Sequence, residues 1–266
     1  MKTVTKILLF TITALLVLAG CTKGPSPNLC ASVCNGLVAY YPFYGDATDK
    51  SGNGLDGKVT GASLTKDRNG YQNHAYSFTG KSNSYISIPK IGIENGSFTI
   101  ATIVKANRKP IDTDSLETMG NGKWVDSGII WANGSYTGLR YHFYKQGNQN
   151  FWLTLQEQQK PLKQISIHSG VSNPLEYNLF VGIVDKKEKT LSVYVDGEFK
   201  RMQSWSGSFF GSNIKSWIIG GRGPASDRYH RGFEGVIDEV RLYNRALRSE
   251  EVKELYLFTS AFPPAE

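Results

Sequence analysis

TLSVYVDGEFK, residues 190–200, decides the fold class of this chain. Every second residue from Leu191 to Val195 is apolar, which is the period of a β-strand that turns one face inward. Asp196 and Gly197 come next, and this dipeptide favours a type I′ turn because both of its residues tolerate positive φ. We therefore predict a hairpin in which Glu198–Gln203 forms the return strand.

The same pattern of short β segments extends along the chain from Leu37 onward. Aromatic and β-branched residues are frequent in these segments, and Gly, Asn, Asp and Ser separate them. This pattern is typical of an all-β sandwich. We expect further strands at Leu37–Phe43, Ala75–Phe78, Tyr85–Ile88, Ser97–Lys105, Gly128–Trp131, Leu139–Tyr144, Phe151–Leu155, Tyr177–Val184, Trp217–Ile219 and Gly235–Tyr243.

One short helix is predicted near the C-terminus. Ser249 can cap its first turn, and the two glutamates that follow lie where the helix dipole favours anions. Val252, Leu255 and Tyr256 then share one face, which we expect to pack against the sandwich.

The N-terminus predicts export. Lys2 and Lys6 precede an apolar run from Ile7 to Ala19, which is typical of a signal peptide and too short to span a bilayer core of about 30 Å. Leu18 to Cys21 resembles the bacterial lipobox, and this resemblance implies cleavage before Cys21 and a lipid on its thiol. We expect a lipid-anchored protein of the bacterial cell envelope, facing the periplasm or the cell surface. Secretion with an unmodified Cys21 is the alternative.

The rest of the chain reads as one domain on a tether. The segment after Cys21 contains glycine, proline and polar residues without a sustained apolar period, which predicts a linker. We expect a signal peptide over residues 1–20, a lipidated tether over 21–35, one domain over 36–258 and a tail over 259–266. A domain of this length is within the range of a single β-sandwich.

Two further cysteines, Cys30 and Cys34, lie in or beside the tether. An exported protein permits a disulfide, and a tight bend brings two cysteines at this spacing within bonding distance. We expect a local Cys30–Cys34 disulfide, with free thiols as the alternative.

The charge pattern gives no indication of nucleic-acid binding. The formal net charge is +7, and the basic residues are scattered along the chain without a dense cluster. We interpret them as solvated surface positions.

Four pieces of the chain carry a family resemblance. They are Gly36–Pro89, which begins GLVAYYPFYGDATDKSGNG, then SFTIATIVKAN at 97–107, TLSVYVDGEFK at 190–200, and GFEGVIDEVRLYNRALRSEEVKELY at 232–256. In this order they resemble the laminin G-like, concanavalin A-type lectin/glucanase superfamily. The resemblance implies an antiparallel jelly-roll sandwich with six or seven strands in each sheet and the two ends of the domain side by side. Lys109–Lys123 departs from the pattern as an enlarged loop.

Glycoside hydrolysis is not predicted, although glucanases share this architecture. Retaining enzymes need two carboxyl groups about 5–5.5 Å apart, and glucanases of this fold carry them alternating along one strand. The nearest acids, Glu234, Asp238 and Glu239, do not follow that spacing. No nucleophile motif or histidine cluster with metal-ligand spacing occurs, so we expect a protein that is not an enzyme.

Calcium is the cofactor that the sequence favours. The segment from Asp46 to Asp56 is rich in oxygen donors and glycine, which suits a cation that prefers oxygen ligands. The family resemblance implies one structural calcium ion held by Asp49, Asn53 and Asp238. An ordinary turn rich in Asp and Asn is the alternative.

Asp238 is expected to be buried. Strand alternation places it on one face with Val236, Val240 and Leu242, while Glu239 and Arg241 lie on the other. A buried carboxylate needs a cation or hydrogen-bond donors to offset its desolvation.

Aromatic residues are the candidate ligand contacts, because sugar faces stack on exposed rings. We select Trp131, Trp152, Trp205 and Tyr229 in the second half of the chain. The predicted function is non-catalytic binding of a carbohydrate or glycoconjugate. Protein adhesion or a structural role in an envelope complex is the alternative, and it predicts a flat apolar patch or an exposed sheet edge.

Overall fold

Two β-sheets and one helix form the described part of the protein. A computed structural model describes residues 33–107, 124–133, 137–144, 149–156, 164–170, 173, 175–206, 214–221 and 230–260. The strands are β1 Leu37–Tyr41, β2 Lys58–Thr60, β3 Ser63–Thr65, β4 Ala75–Thr79, β5 Tyr85–Pro89, β6 Phe98–Ala106, β7 Trp124–Asn133, β8 Gly138–Tyr144, β9 Gln149–Gln156, β10 Gln164–His168, β11 Asn178–Asp185, β12 Thr190–Val195, β13 Glu198–Ser204, β14 Ser216–Ile219, β15 His230–Gly232 and β16 Glu234–Tyr243. A short 3-10 turn at Ile93–Asn95 precedes β6, and helix α1 spans Ser249–Ser260.

The strands form two eight-stranded sheets. The first sheet has the order β13-β12-β11-β6-β16-β4-β3, and β1 also pairs with β16. The second sheet has the order β10-β9-β8-β7-β14-β5-β2, and β15 pairs with β7 in parallel. The predicted antiparallel sandwich is confirmed, but each sheet has eight strands instead of six or seven. Strands β2, β3, β10 and β15 were not predicted; β2, β3 and β15 have three residues each, which give little alternation to detect.

The two ends of the domain lie side by side, as the family resemblance implied. Strand β1 pairs antiparallel with β16, with Tyr41 opposite Val240. The predicted hairpin is also confirmed, since Asp196 and Gly197 have φ values of 53° and 77° and β12 pairs with β13 on either side of them.

The main core lies between the sheets. Phe180 of the first sheet stacks on Phe151 of the second at 4.9 Å, and Phe98 meets Trp217 edge-on at 6.3 Å. A second apolar cluster covers the outer face of the first sheet, where Val252 and Leu255 of α1 are fully buried. Burial of each side chain contributes roughly 1.5–3 kcal/mol, which holds a short helix in place.

A bulge in β16 changes which residues face the core. The register against β6 shifts between Ile237 and Glu239, so Ile237, Val240 and Leu242 join the core. Burial of Asp238 is confirmed, but its predicted alternation with Val240 is wrong, because the bulge adds one residue at this point.

The packed fold extends slightly beyond the predicted domain bounds of 36–258. Val33 is buried in the cluster under α1, and Thr259 is buried near the end of that helix. Cys34 is disulfide-bonded. Both other cysteines, Cys21 and Cys30, lie outside the described residues, so the Cys30–Cys34 pairing stays a prediction. Within the described ranges no helix has the length and apolar character needed to cross a membrane.

Gly220 provides a test of the packing between β14 and β4. Its φ is +78°, and a Cβ at this position would lie 2.0 Å from Cδ1 of Phe78 in the core. Gly52 has a φ of +92° with open space around it, so Gly52→Ala should cost only the left-handed strain of roughly 1–2 kcal/mol. We expect Gly220→Ala to cost more in urea unfolding, because the Phe78 ring must also move. Equal losses for both variants would contradict this packing.

Candidate functional site

The three described ring candidates from the sequence occupy different environments. Trp205 is only 8% exposed and belongs to the core. Trp131 is 3% exposed and points away from the core, since its neighbours Ile130 and Ala132 face inward. Neither presents a ring to a ligand as predicted, because packing covers both. Tyr229, the fourth candidate, lies outside the described residues.

Trp152 is the described candidate that is partly exposed. It lies on the outer face of the second sheet, opposite His168 on the neighbouring strand, with the two ring centroids 4.9 Å apart. Two pairs further along, the hydroxyls of Thr154 and Ser166 are 3.0 Å apart, and Thr154 is buried while Ser166 is partly exposed. We call these four residues the Trp152 face.

His168 connects the Trp152 face to the edge of the first sheet. Its Nε2 lies 3.0 Å from Nη1 of Arg201, an exposed residue of β13. Burial lowers the pKa of His168, and the charge of Arg201 lowers it further. The imidazole is therefore neutral near pH 7, and its Nδ1 accepts a hydrogen bond from the amide of Gly170 at 3.1 Å.

A second aromatic surface was not predicted from the sequence. Tyr44 is 53% exposed and Tyr71 is 37% exposed, although both are large aromatic residues. His74 contacts both of them, with ring centroids 4.6 Å from Tyr44 and 5.6 Å from Tyr71. We call these three residues the ring platform.

Left-handed backbone directs Tyr44 outward. The preceding residue, Phe43, is fully buried in the core and has a φ of 58°, which is unusual for a bulky side chain. Asn73, which precedes His74, has a φ of 60°. The amide of Gly45 donates to the carbonyls of both Phe43 and Asn73 at 2.8 Å, so it ties the two bends together.

Asp67 shapes the loop that carries Tyr71. Its Oδ1 accepts hydrogen bonds from the amides of Asn69 and Tyr71 at 2.9 and 2.8 Å. Its Oδ2 lies 3.9 Å from Nδ1 of His74. One buried carboxylate thus orients two of the three rings of the platform.

The next residue, Arg68, links three separate segments. Its Nη1 lies 2.6 Å from Oδ2 of Asp238 in the bulge of β16. Its Nε and Nη2 donate to the carbonyl of Thr259 in α1 at 3.1 and 2.6 Å. Burial raises the pKa of Asp238 to about 7, with the charge of Arg68 opposing this rise and that of Glu239 adding to it.

The predicted calcium ligands do not fit a cation as they are arranged. Asp49 accepts four hydrogen bonds, from the amides of Tyr40, Ser51 and Leu55 and from the hydroxyl of Ser51. Asn53 turns its Nδ2 donor toward the carbonyl of Val38 at 2.9 Å. These bonds are those of a turn rich in Asp and Asn, the alternative reading of this loop.

Asp238, the third predicted ligand, forms an ion pair with Arg68. Among the residues that the structure describes, no group of three or more His, Cys, Asp or Glu side chains is placed to hold a metal. Calcium binding therefore stays a prediction without a formed site in this arrangement.

The family comparison agrees with the fold. The family described as the Concanavalin A-like lectin/glucanases superfamily, of the laminin G type, matches residues 79–253. The chain belongs to this superfamily. A search of the curated proteins finds no match.

Solved structures of the superfamily fold include several binding domains. The binding domain of Paraclostridial Mosquitocidal Protein 1 has a TM-score of 0.63 at 16% identity, covering 86% of this chain and 54% of that one. Domain 4 of a GH43 extracellular arabinanase from Geobacillus stearothermophilus, solved with arabinotriose, has a TM-score of 0.55 at 19% identity, covering 83% and 98%. Trypanosoma rangeli sialidase has a TM-score of 0.57 at 18% identity, and the match covers 86% of this chain and 34% of the sialidase chain. The chain spans about half the length of the toxin binding domains, and identities this low show the fold alone.

The sequence contains a signal for the ring platform that lies in turns and not in the strands from which the candidate rings were selected. Tyr44 and Tyr71 each adjoin a glycine within turn-forming segments, FYGDA and RNGYQ. Rings in turns are less readily covered by a neighbouring sheet than rings in strands. The sequence could have identified both residues on this ground.

Arg68→Ala and metal removal together test whether Arg68 or a metal ion neutralises the buried carboxylate of Asp238. We expect a chelator to leave the melting temperature unchanged, since Arg68 already provides the positive charge at Asp238. Arg68→Ala should cost about 3–5 kcal/mol at pH 8, because it leaves a buried carboxylate unpaired. The loss should shrink as the pH falls toward about 7, because removal of Arg68 raises the pKa of Asp238 above its wild-type value of about 7 and the protonated carboxyl needs no counter-charge.

The double variant Arg68→Ala with Asp238→Asn is the control, and it should recover part of the lost stability. Chemical unfolding across pH 5–9 measures all of these quantities. A fall in melting temperature on chelation would contradict the assignment of Arg68 as the counter-charge of Asp238 and would support a bound calcium ion.

Proposed function

We propose that this protein is a non-catalytic glycan-binding module of the bacterial cell envelope, held to a membrane by a lipid on Cys21. The observation that carries the binding role is the Trp152 face, where a partly exposed indole lies beside polar side chains on the outer face of a sheet.

The Trp152 face has the chemistry that a sugar requires. The apolar C–H face of a sugar packs on an aromatic ring, and its hydroxyls need hydrogen-bond partners nearby. The partly exposed hydroxyl of Ser166 and the guanidinium of the exposed residue Arg201, whose Nη1 lies 3.0 Å from Nε2 of His168, supply such partners beside the indole. A rigid sheet keeps the ring and the polar groups in fixed relative positions, which lowers the entropic cost of binding.

The five buried acids of the described residues favour recognition over hydrolysis: Asp49 and Asp67 accept hydrogen bonds from backbone amides, and the other three face arginines. Asp238 lies against Arg68, and Glu239 lies against Arg241 at 2.9 Å. Glu251 is held by Arg245 in the same way, at 2.8 Å. Glycoside hydrolysis needs a pair of carboxyl groups that face the substrate, whereas these three carboxylates each face an arginine.

The structural relatives give independent support for a binding role. Two of them are titled as binding domains of toxins, and a third is an arabinanase domain solved in complex with arabinotriose. This support is an analogy of fold, so the specific test must come from the residues of this chain.

Protein adhesion is the second candidate function, and one feature favours it. Strand β13 ends the first sheet and is exposed along its length, with Phe199 and Met202 each 56% exposed. An exposed sheet edge with apolar side chains can pair with a strand of another protein.

Trp152→Ala tests the glycan role against the adhesion role. We expect this change to weaken glycan binding about thirtyfold, which corresponds to roughly 2 kcal/mol for a central aromatic contact. Phe199→Ala removes a ring from the β13 edge and is the matched control, so it should leave glycan affinity unchanged. A glycan array followed by calorimetry measures both. If Phe199→Ala abolishes capture of an envelope protein while no glycan binds the wild type, the adhesion role replaces the glycan role.

The lipid anchor is tested by mass spectrometry of the protein extracted from membranes. We expect residues 1–20 to be absent and Cys21 to carry a diacylglycerol mass. Cys21→Ser should release the protein into the soluble fraction. A wild-type product with an unmodified Cys21 would contradict the anchor without affecting the glycan-binding proposal.

A further inference from the structure

We infer that the ring platform of Tyr44, His74 and Tyr71 is a second glycan-binding site, and that it accepts uncharged sugars in preference to acidic ones. The inference deepens the proposed function, on which it rests for the class of ligand. The site itself is separate, because the platform belongs to the loops before and after strands of the first sheet, whereas Trp152 lies on the second sheet.

The platform presents its rings to solvent in a group. His74 lies between two tyrosines that are 53% and 37% exposed, and the ring contacts run from Tyr44 through His74 to Tyr71. Since these rings touch one another, they do not enclose a cavity for a small cation. They instead form a continuous aromatic surface on which a sugar chain can lie.

Backbone strain indicates that core packing alone does not explain the position of Tyr44. A left-handed conformation is strained for a non-glycine residue, and both Phe43 and Asn73 adopt one. This bend buries Phe43 fully in the core, but it leaves the ring of Tyr44 exposed. The Gly45 hydrogen bonds hold the bends together, so the platform is preorganised before a ligand arrives.

Electrostatics around the platform argue against an acidic sugar. Arg68, which follows Asp67 in the chain, uses its guanidinium nitrogens on Asp238 and on the carbonyl of Thr259. Asp67 adds a carboxylate 3.9 Å from His74. A uronate or sialate placed here would meet negative charge, and Arg68 could bind it only by releasing a buried carboxylate.

Polar groups that can orient an uncharged sugar are present on the same surface. The phenol hydroxyls of Tyr44 and Tyr71 and the imidazole of His74 can exchange hydrogen bonds with sugar hydroxyls. Partial burial raises the pKa of Tyr44, and the charges of Glu239 and Asp238 add to this rise. The phenol therefore keeps its proton at neutral pH and can act as a donor.

The experiment compares the full-length protein, purified in detergent, with Tyr44→Ala/Tyr71→Ala and with Trp152→Ala. The probes are cellohexaose, mannohexaose and arabinohexaose as uncharged chains and hexagalacturonate as the acidic chain. Phe199→Ala is the matched control, because it also removes an exposed ring. We expect the Tyr44/Tyr71 double variant to lose affinity for an uncharged hexasaccharide at least tenfold, with an unchanged melting temperature. Phe199→Ala should retain wild-type affinity.

Ring-proton NMR of the wild type keeps the test independent of how the variants fold. An uncharged hexasaccharide should shift the signals of Tyr44, His74 and Tyr71, and hexagalacturonate should leave them unshifted. Binding that is lost in Trp152→Ala but unchanged in the double variant, without platform shifts, overturns the inference and leaves the proposed function standing. Stronger platform shifts with hexagalacturonate overturn the assigned sugar class. If no probe binds the wild type, both the inference and the proposed function fail.

Discussion

Strand β16 buries two consecutive carboxylates, and the first sheet is organised around their neutralisation. The strand pairs with β1, β4 and β6, so its position fixes three other strands. Asp238 lies in the bulge of this strand and forms an ion pair with Arg68, while Glu239 pairs with Arg241. Removing either arginine would leave a buried charge unpaired, which is more costly than losing an ordinary surface ion pair.

The Arg68 contacts also explain how distant parts of the chain depend on one another. Arg68 joins the loop before β4 to the bulge of β16 and to the end of α1. Its neighbour Asp67 orients Tyr71 and approaches His74. The charge that β16 must neutralise thus fixes the loop that carries two of the three platform rings, Tyr71 and His74. An arginine suits this role because its planar group satisfies a carboxylate and a carbonyl together.

Local sequence patterns predicted most of the architecture. The alternation in β12, the Asp196-Gly197 turn and the apolar face of α1 are each short-range features, and the structure confirms them. The bulge at Asp238 could not be predicted, because it depends on how β16 aligns with β6, a strand far away in the chain. The ion pair between Arg68 and Asp238 could not be predicted for the same reason, since it joins residues that lie 170 positions apart in the chain.

The ligand residues were harder to predict than the fold, since the chemical type of a ring does not determine its exposure. Trp205 is covered in the core between the sheets and Trp131 is buried on the other side of its strand. Tyr44 and Tyr71 lie in turns, where positive φ and glycine set the direction of the chain. In a sandwich whose strands are covered on one face by the opposite sheet, and partly on the other by a helix, aromatic residues of strands serve mainly as packing. Rings held outward by strained turns are therefore the stronger indication of a ligand surface.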